Sequence, residues 1–262
     1  MKDYQTIEIE KGITTYIKLN RPEVHNAMNE TMIEELTDAF NKIPLDNKVR
    51  LIVLRGNGKS FCAGADLNYM KGIATFGYDE NFKDGMRLAN LFKSIYECSI
   101  PTIAVVHGAA FGGANGLLAS CDIVLAEDNT TFAFSEVKLG IGPATISPFV
   151  IKRIGEFNAR DLMLSGRRIK GPEAEKTGLI NKSLSAEQIE NELNKYITEF
   201  NSSAPKAVMA TKNIINKITN STSEMDDEIK YTASCIADLR QADEGQEGMS
   251  SFLEKRKPKW KL

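Results

Sequence analysis

Three short apolar runs frame any fold of this chain: VRLIVLRG (49–56), PTIAVVHG (101–108) and CDIVLAED (121–128). Each is bounded by turn residues and reads as a buried strand. Helical spacing lies between and around them. NETMIEELTDAFNKI (29–43) sets Met32, Ile33, Leu36, Ala39, Phe40 and Ile43 on one face, with Asn29 at the N-cap position. FKDGMRLANLFKSIYE (82–97) has the same spacing. Ahead of them, TIEIEKGITTYIKLN (6–20) alternates Ile7, Ile9, Ile13, Thr15, Ile17 and Leu19 around Lys11 and Gly12, the pattern of a β-hairpin. Strands alternating with helices through short turns predict an α/β layered core.

The character changes after residue 185. Segments 186–203, 205–219, 224–240 and 243–258 all read as helices, the first with a stripe of Ile189, Leu193, Ile197 and Phe200. The expected organisation is one core domain over 1–185 and a C-terminal helical region over 186–262. That region would cap the core and active site and offer a subunit interface. A chain of 262 residues with 42% hydrophobic content can bury a large core unaided.

Charge and cysteine usage narrow the function classes. The 33 basic and 35 acidic residues leave a net charge of −2, which gives no general attraction to nucleic acid. Four cysteines without a C-x-x-C pair and only two histidines argue against a structural zinc site, so no metal is expected. The opening MKDYQTIEIEKG has no apolar core of a signal peptide, and no run of about 18 apolar residues occurs. A cytoplasmic protein that does not enter membranes is expected.

Two glycine-marked stretches follow predicted strands: GKSFCAGADLNYM (58–70) and HGAAFGGANGLLASCD (107–122). Small residues there allow close approach to the backbone and leave N–H groups available. The second stretch opens a helix, whose first N–H groups lack partners and sit at the positive dipole end. Two such donors converging on one oxygen form an oxyanion hole, suited to a carbonyl becoming an enolate. Plain turns are the simpler alternative. The phosphate loop G-x-x-x-x-G-K-[ST], the G-x-G-x-x-G fingerprint and the G-x-S-x-G elbow are all absent. His107 is either a base or a hydrogen-bonded structural histidine, and His25 is expected at the surface.

LNRPEVHNAM (19–28), FCAGADL (61–67), HGAAFGGANGLLASCD (107–122) and FAFSEVKLGIGP (132–143), in this order, resemble the enoyl-CoA hydratase/isomerase family, also called the crotonase superfamily. The likeness continues through LSGRRIKGPEAEKTGLIN (164–181) and covers nearly the whole chain. It implies a crotonase-like spiral of ββα units with a C-terminal helical region, assembled as trimers or hexamers, and an acyl-CoA thioester as substrate. Coenzyme A is then part of the substrate, and no separate cofactor is implied. The resemblance assigns the oxyanion hole to the N–H groups of Ala65 and Gly113 and the catalytic acid to Glu136. It places CoA near Val24, Ala27, Ala63, Asp66 and Leu67, with Pro143 also at the substrate. Phe252 and Lys255 would reach the CoA of a neighbouring subunit; a solvated basic tail is the alternative reading of 253–262.

The family's hydratases hold water between two glutamates, and the position of the second is Gly116 here. Asn115 beside it either bonds a water or substrate group or caps the helix. A single carboxyl near Phe132, Phe134, Val137, Leu139 and Ile141 would be desolvated, and its raised pKa would let it accept and donate protons near neutrality. Hydration of an enoyl-CoA is the favoured chemistry; Δ3/Δ2 isomerisation with Glu136 as proton shuttle is the alternative. A non-catalytic acyl-CoA-binding or RNA-associated scaffold and a thioester hydrolase are further readings. SEVKLGIGPATISP (135–148) is similar in wording to bacterial methylglutaconyl-CoA hydratases of leucine breakdown. The distal carboxylate of that substrate would need a cation, and Lys138, Lys152 and Arg153 are the nearest in sequence.

Overall fold

The computed structural model of the chain describes residues 4–261. In chain order the elements are β1 (Ile7–Glu10), β2 (Thr14–Leu19), α1 (Glu30–Lys42), β3 (Leu51–Gly56), α2 (Leu67–Ile73), α3 (Tyr78–Tyr96), β4 (Thr102–Val106), β5 (Ala109–Phe111), α4 (Gly113–Ser120) and β6 (Ile123–Glu127). Then come β7 (Thr131–Ala133), α5 (Ser147–Ser165), β8 (Arg168–Lys170), α6 (Gly171–Lys176), β9 (Lys182–Leu184), α7 (Ala186–Ser202), α8 (Pro205–Thr219), α9 (Met225–Gln241) and α10 (Asp243–Leu253).

The large sheet has the order β1-β2-β3-β4-β6-β9, antiparallel between β1 and β2 and parallel elsewhere. Its central strands carry buried apolar side chains on both faces because both faces are covered. Ile52, Leu54, Ala104, Val106, Val124 and Ala126 enter the main core with α1, α3 and α4. Leu51, Val53, Ile103, Val105 and Leu125 face the other way, where Ile189 and Leu193 of α7 cover them. The stripe predicted on α7 therefore closes the back of the sheet. α7, the first helix of the expected C-terminal region, thus caps the sheet. α1 begins as expected: the Asn29 side chain accepts from the Met32 N–H at 2.9 Å, and Met32, Ile33, Leu36, Ala39 and Phe40 are buried.

A second sheet, β5-β7-β8, was not visible in the sequence. Its three-residue strands arise where the chain leaves the large sheet. β4–β5–α4 and β6–β7–α5 are successive ββα units in which the first strand joins the large sheet and the second joins the small one. β5 and β7 are parallel, with Phe111 opposite Ala133, so their C-terminal ends lie side by side. Residues 62–65 run beside them through a bridge of Cys62 with Ala110.

Two boundaries differ from the periodicity. α3 starts earlier, at Tyr78, with Glu80 reaching back to the Gly77 N–H at 2.9 Å. α10 ends at Leu253 rather than continuing to 258: Lys255 turns at φ 53°, and Arg256 folds back onto Glu247 at 2.6 Å. Among the described residues no helix is long and apolar enough to cross a membrane.

Candidate active site

Three chain segments end at one edge of the small sheet. The first is Ala63–Asp66, which pairs with His25–Met28. The Ala63 N–H donates to the His25 carbonyl at 3.0 Å, Met28 N–H to Gly64 at 2.7 Å and Asp66 N–H to Met28 at 2.9 Å. In such a parallel bridge Ala65 itself points its N–H away from the pair. Gly64 makes the close passage possible. Its φ is +98°, and a Cβ there would stand 2.9 Å from the Phe111 carbonyl oxygen.

The second segment is the turn from β5 into α4. The Gly112 N–H continues the ladder to Ala133 at 2.9 Å, and Gly112 then turns with φ +53°. That conformation suits glycine and launches α4 at Gly113. As first helical residue, Gly113 has no intrahelical partner for its N–H. Among the described residues neither the Ala65 nor the Gly113 N–H is given to a backbone carbonyl.

The third segment follows β7. Ser135–Leu139 forms a short helical turn closed by Gly140, which carries Glu136 back against Gly112. A Cβ on Gly112 would lie 3.4 Å from Glu136 Oε1, so the carboxylate rests on that turn. Its Oε2 is buried without a hydrogen-bond partner. Burial pushes the Glu136 carboxyl above the ordinary glutamate range, against a smaller opposing effect of a backbone hydrogen bond. The expected apolar surround is only partly present: Phe132 and Phe134 are buried, while Leu139 and Ile141 are 62% and 57% exposed.

Ala65, Gly113, Glu136 and Pro143 meet at one cavity of about 430 Å³. Its far walls are α2 and α3. Asn81, Asp84, Gly85 and Leu88 line it from α3 at helical spacing, and Tyr69, Met70, Ile73 and Ala74 from α2. The Tyr69 hydroxyl donates to Asp84. These groups carried no motif in the sequence; their i, i+3, i+4 spacing was the available signal.

Gly116 does not reach the cavity. A Cβ at that position would stand 2.5 Å from Ile146 Cγ2 and 2.6 Å from Phe92 Cζ, so two apolar side chains fill the space a second acid would need. Asn115 is fully buried; its amide nitrogen donates to Ala133 at 2.9 Å and more weakly to Ala110 and Gly112. It ties the head of α4 to β7 and does not line the cavity.

Val24, Ala27, Ala63, Asp66 and Leu67 gather outside the cavity, along the 24–28 and 63–67 pairing. Ala27 is buried and Leu67 is 75% exposed. The Asp66 carboxylate is occupied: it caps α2 through the Asn68 and Tyr69 N–H groups and pairs with Arg21 at 2.9 Å. Burial opposes its charge, but these hydrogen bonds hold its pKa below the usual value. Phe252 and Lys255 lie at the end of α10, which packs on α8 and α9, away from these loops within one chain.

The histidines and candidate cations stand elsewhere. His107 Nε2 is 2.9 Å from the Gly58 carbonyl, a structural contact. His25 is exposed beside Ser60, as its turn suggested. Arg153 is bonded to the carbonyls of Leu179 and Cys121 and to Asn181, Lys152 to Asn220, and Lys138 is exposed. None of the three lines the cavity. Cys62 lies within the first loop, but burial pushes its thiol up to about 12, which leaves no thiolate near neutral pH. Among the described residues no group of three His, Cys, Asp or Glu is placed to hold a metal.

Residues 8–262 match the profile of the enoyl-CoA hydratase/isomerase family. The chain is 31% identical over 249 residues to a short-chain-enoyl-CoA hydratase of Clostridium acetobutylicum, covering 94% of each. Among solved structures, an enoyl-CoA hydratase/isomerase from Marinobacter aquaeolei superposes with a TM-score of 0.93 at 36% identity, covering 98% of this chain and 99% of that one. An enoyl-CoA hydratase from Shewanella pealeana gives 0.94 at 32% identity, covering 98% and 96%. The crotonase-like α/β fold expected from the motifs is thereby shown.

Proposed function

Because the chain belongs to the enoyl-CoA hydratase/isomerase family, we propose that it adds water reversibly across the α,β double bond of an enoyl-CoA thioester. The observation that carries this reading is the meeting of Ala65, Gly113 and Glu136 at one cavity. The two backbone N–H groups bind the thioester oxygen. As the water oxygen bonds to the β-carbon, the double-bond electrons move through the α-carbon toward the thioester oxygen and give an enolate. Donors of this kind contribute about 3–4 kcal/mol each to the transition state when preorganised. Glu136 takes the proton released by water, and a proton returned to the α-carbon completes the hydroxyacyl thioester. A carboxyl of raised pKa suits both transfers.

A second reading has its own support. With Phe92 and Ile146 against Gly116, no second carboxylate comes from α4 to hold water. Δ3/Δ2 isomerisation needs only one acid, which moves a proton between the α- and γ-carbons. The names of the relatives favour hydration.

The wording of 135–148 pointed to a methylglutaconyl group. The cavity lining supports an uncharged short acyl group instead, since no Lys, Arg or His lines it among the described residues. A homotrimer or a dimer of trimers is part of this reading, with Phe252 and Lys255 of one copy completing the CoA site of another.

The test is a panel of acyl-CoAs followed by mass spectrometry. A mass gain of one water supports hydration, unchanged mass with a moved double bond supports isomerisation, and free CoA supports hydrolysis. Glu136→Gln should lower turnover by about 10²–10⁴-fold. Acyl-CoA binding without turnover in either protein would leave a binding scaffold.

A further inference from the structure

The cavity contains a second carboxylate, but on a different element from the one the family motif would use. Asp84 comes from α3, accepts a hydrogen bond from Tyr69 of α2, and lines the same space as Glu136. Its position along α3 decides what it can meet. Phe92 marks the reaction end, since its ring lies 4.0 Å from a Cβ built on Gly113 and closer still to Gly116. Asp84 is eight residues earlier, and a rise of 1.5 Å per residue sets it about 12 Å away along the helix. That spacing puts the backbone of Asp84 two turns from the helix position that backs the oxyanion turn.

We propose that the Tyr69–Asp84 pair sets acyl-group specificity by rejecting chains that carry a terminal carboxylate. This deepens the proposed acyl-CoA reading of the cavity and rests on it. The hydrogen bond from Tyr69 fixes the Asp84 carboxylate in place without cancelling its charge. Arg87, on the neighbouring turn, is ion-paired with Glu30 and does not line the cavity. The rest of the far wall contributed by α2, namely Met70, Ile73 and Ala74, is apolar and accepts a hydrocarbon tail. A substrate carboxylate arriving here would meet a like charge with no cation lining the cavity to offset it. Like charges a few ångströms apart in a partly water-excluded space repel enough to change affinity by tenfold or more.

The experiment compares two saturated ligands of equal length that cannot be hydrated, hexanoyl-CoA and adipoyl-CoA. Calorimetric titration into wild type, Asp84→Asn and Tyr69→Phe reads charge selection without turnover. Wild type should favour hexanoyl-CoA. Asp84→Asn keeps an acceptor for Tyr69 and should narrow the preference by about tenfold, whereas Tyr69→Phe keeps the charge and should not narrow it. A wild type that prefers adipoyl-CoA, or a preference within twofold of wild type in Asp84→Asn, overturns the proposal. Thermal midpoints check that each variant is folded. If neither ligand binds folded wild type, the acyl-CoA reading itself fails; if both bind without the predicted difference, only the specificity claim does.

Discussion

Glu136 keeps one carboxylate oxygen buried and unbonded, an arrangement that costs stability and persists here at the centre of the candidate site. The sign of its pH effect follows from burial. A carboxyl whose folded pKa is raised binds its proton more tightly folded than unfolded, so stability is lost as pH rises through the folded value. Glu136→Gln removes that loss. The thermal midpoint of the variant should exceed wild type near pH 8, with the difference shrinking as pH falls below the raised pKa. Hydration uses the ionised form as base, so kcat/KM should fall on the acid side with a midpoint above the ordinary glutamate range. A limb at the ordinary value, or a midpoint difference independent of pH, would count against a desolvated Glu136. At this scale the sequence was informative where a motif tied a residue to a turn, as at Ala65, Gly113 and Glu136. It was uninformative about Asp84 and Tyr69, whose meeting depends on how two helices pack. For Lys152 and Arg153 it offered only closeness in sequence to the Glu136 turn, which says nothing of which way a helix faces.

At the scale of elements, the long apolar strands could be read directly because β3, β4 and β6 are buried on both faces. The strands β5, β7 and β8 could not, since three residues carry no period and their pairing depends on where preceding strands end. Yet those short strands set the site, by ending next to one another. The packing of α4 on α3 and the start of α5 is the other determining contact, and it allows a firm expectation. Gly116→Ala would place a methyl where Ile146 and Phe92 already stand. Overpacking of this kind costs about 1–3 kcal/mol, which chemical denaturation should register as a lower midpoint. Gly116→Glu should destabilise further rather than restore a two-acid site. An unchanged midpoint for the alanine variant would mean that Phe92 yields easily.

On the scale of the whole molecule, large apolar side chains remain uncovered on the last three helices. Ile215 is 56% exposed, Ile229 56%, Phe252 83% and Leu253 79%. Exposed apolar surface distributed this way is a common mark of a contact with another chain. Light scattering coupled to gel filtration should give the mass of three or six copies. Phe252→Asp should shift that mass downward and, if the helix end reaches a neighbour's CoA, raise KM for acyl-CoA. A monomeric wild type would remove both expectations. The division expected at residue 185 looks different from this distance: α7 closes the back of the sheet, and α8 sends the buried Lys212 to Asp122 at 2.7 Å. The uncovered apolar side chains lie on α8, α9 and α10.

The single helix α3 backs the oxyanion turn through Phe92 and lines the cavity through Asp84 two turns before it. It can therefore act as a ruler whose graduations are helical turns. Adding one residue between Gly85 and Leu91 would rotate Asp84 by about 100° around the axis relative to Phe92. The reaction end would keep its register while the far end lost its charged boundary stone. Chain-length preference in close relatives should then track the number of residues between these two positions, a quantity that can be changed without touching any group that moves a proton.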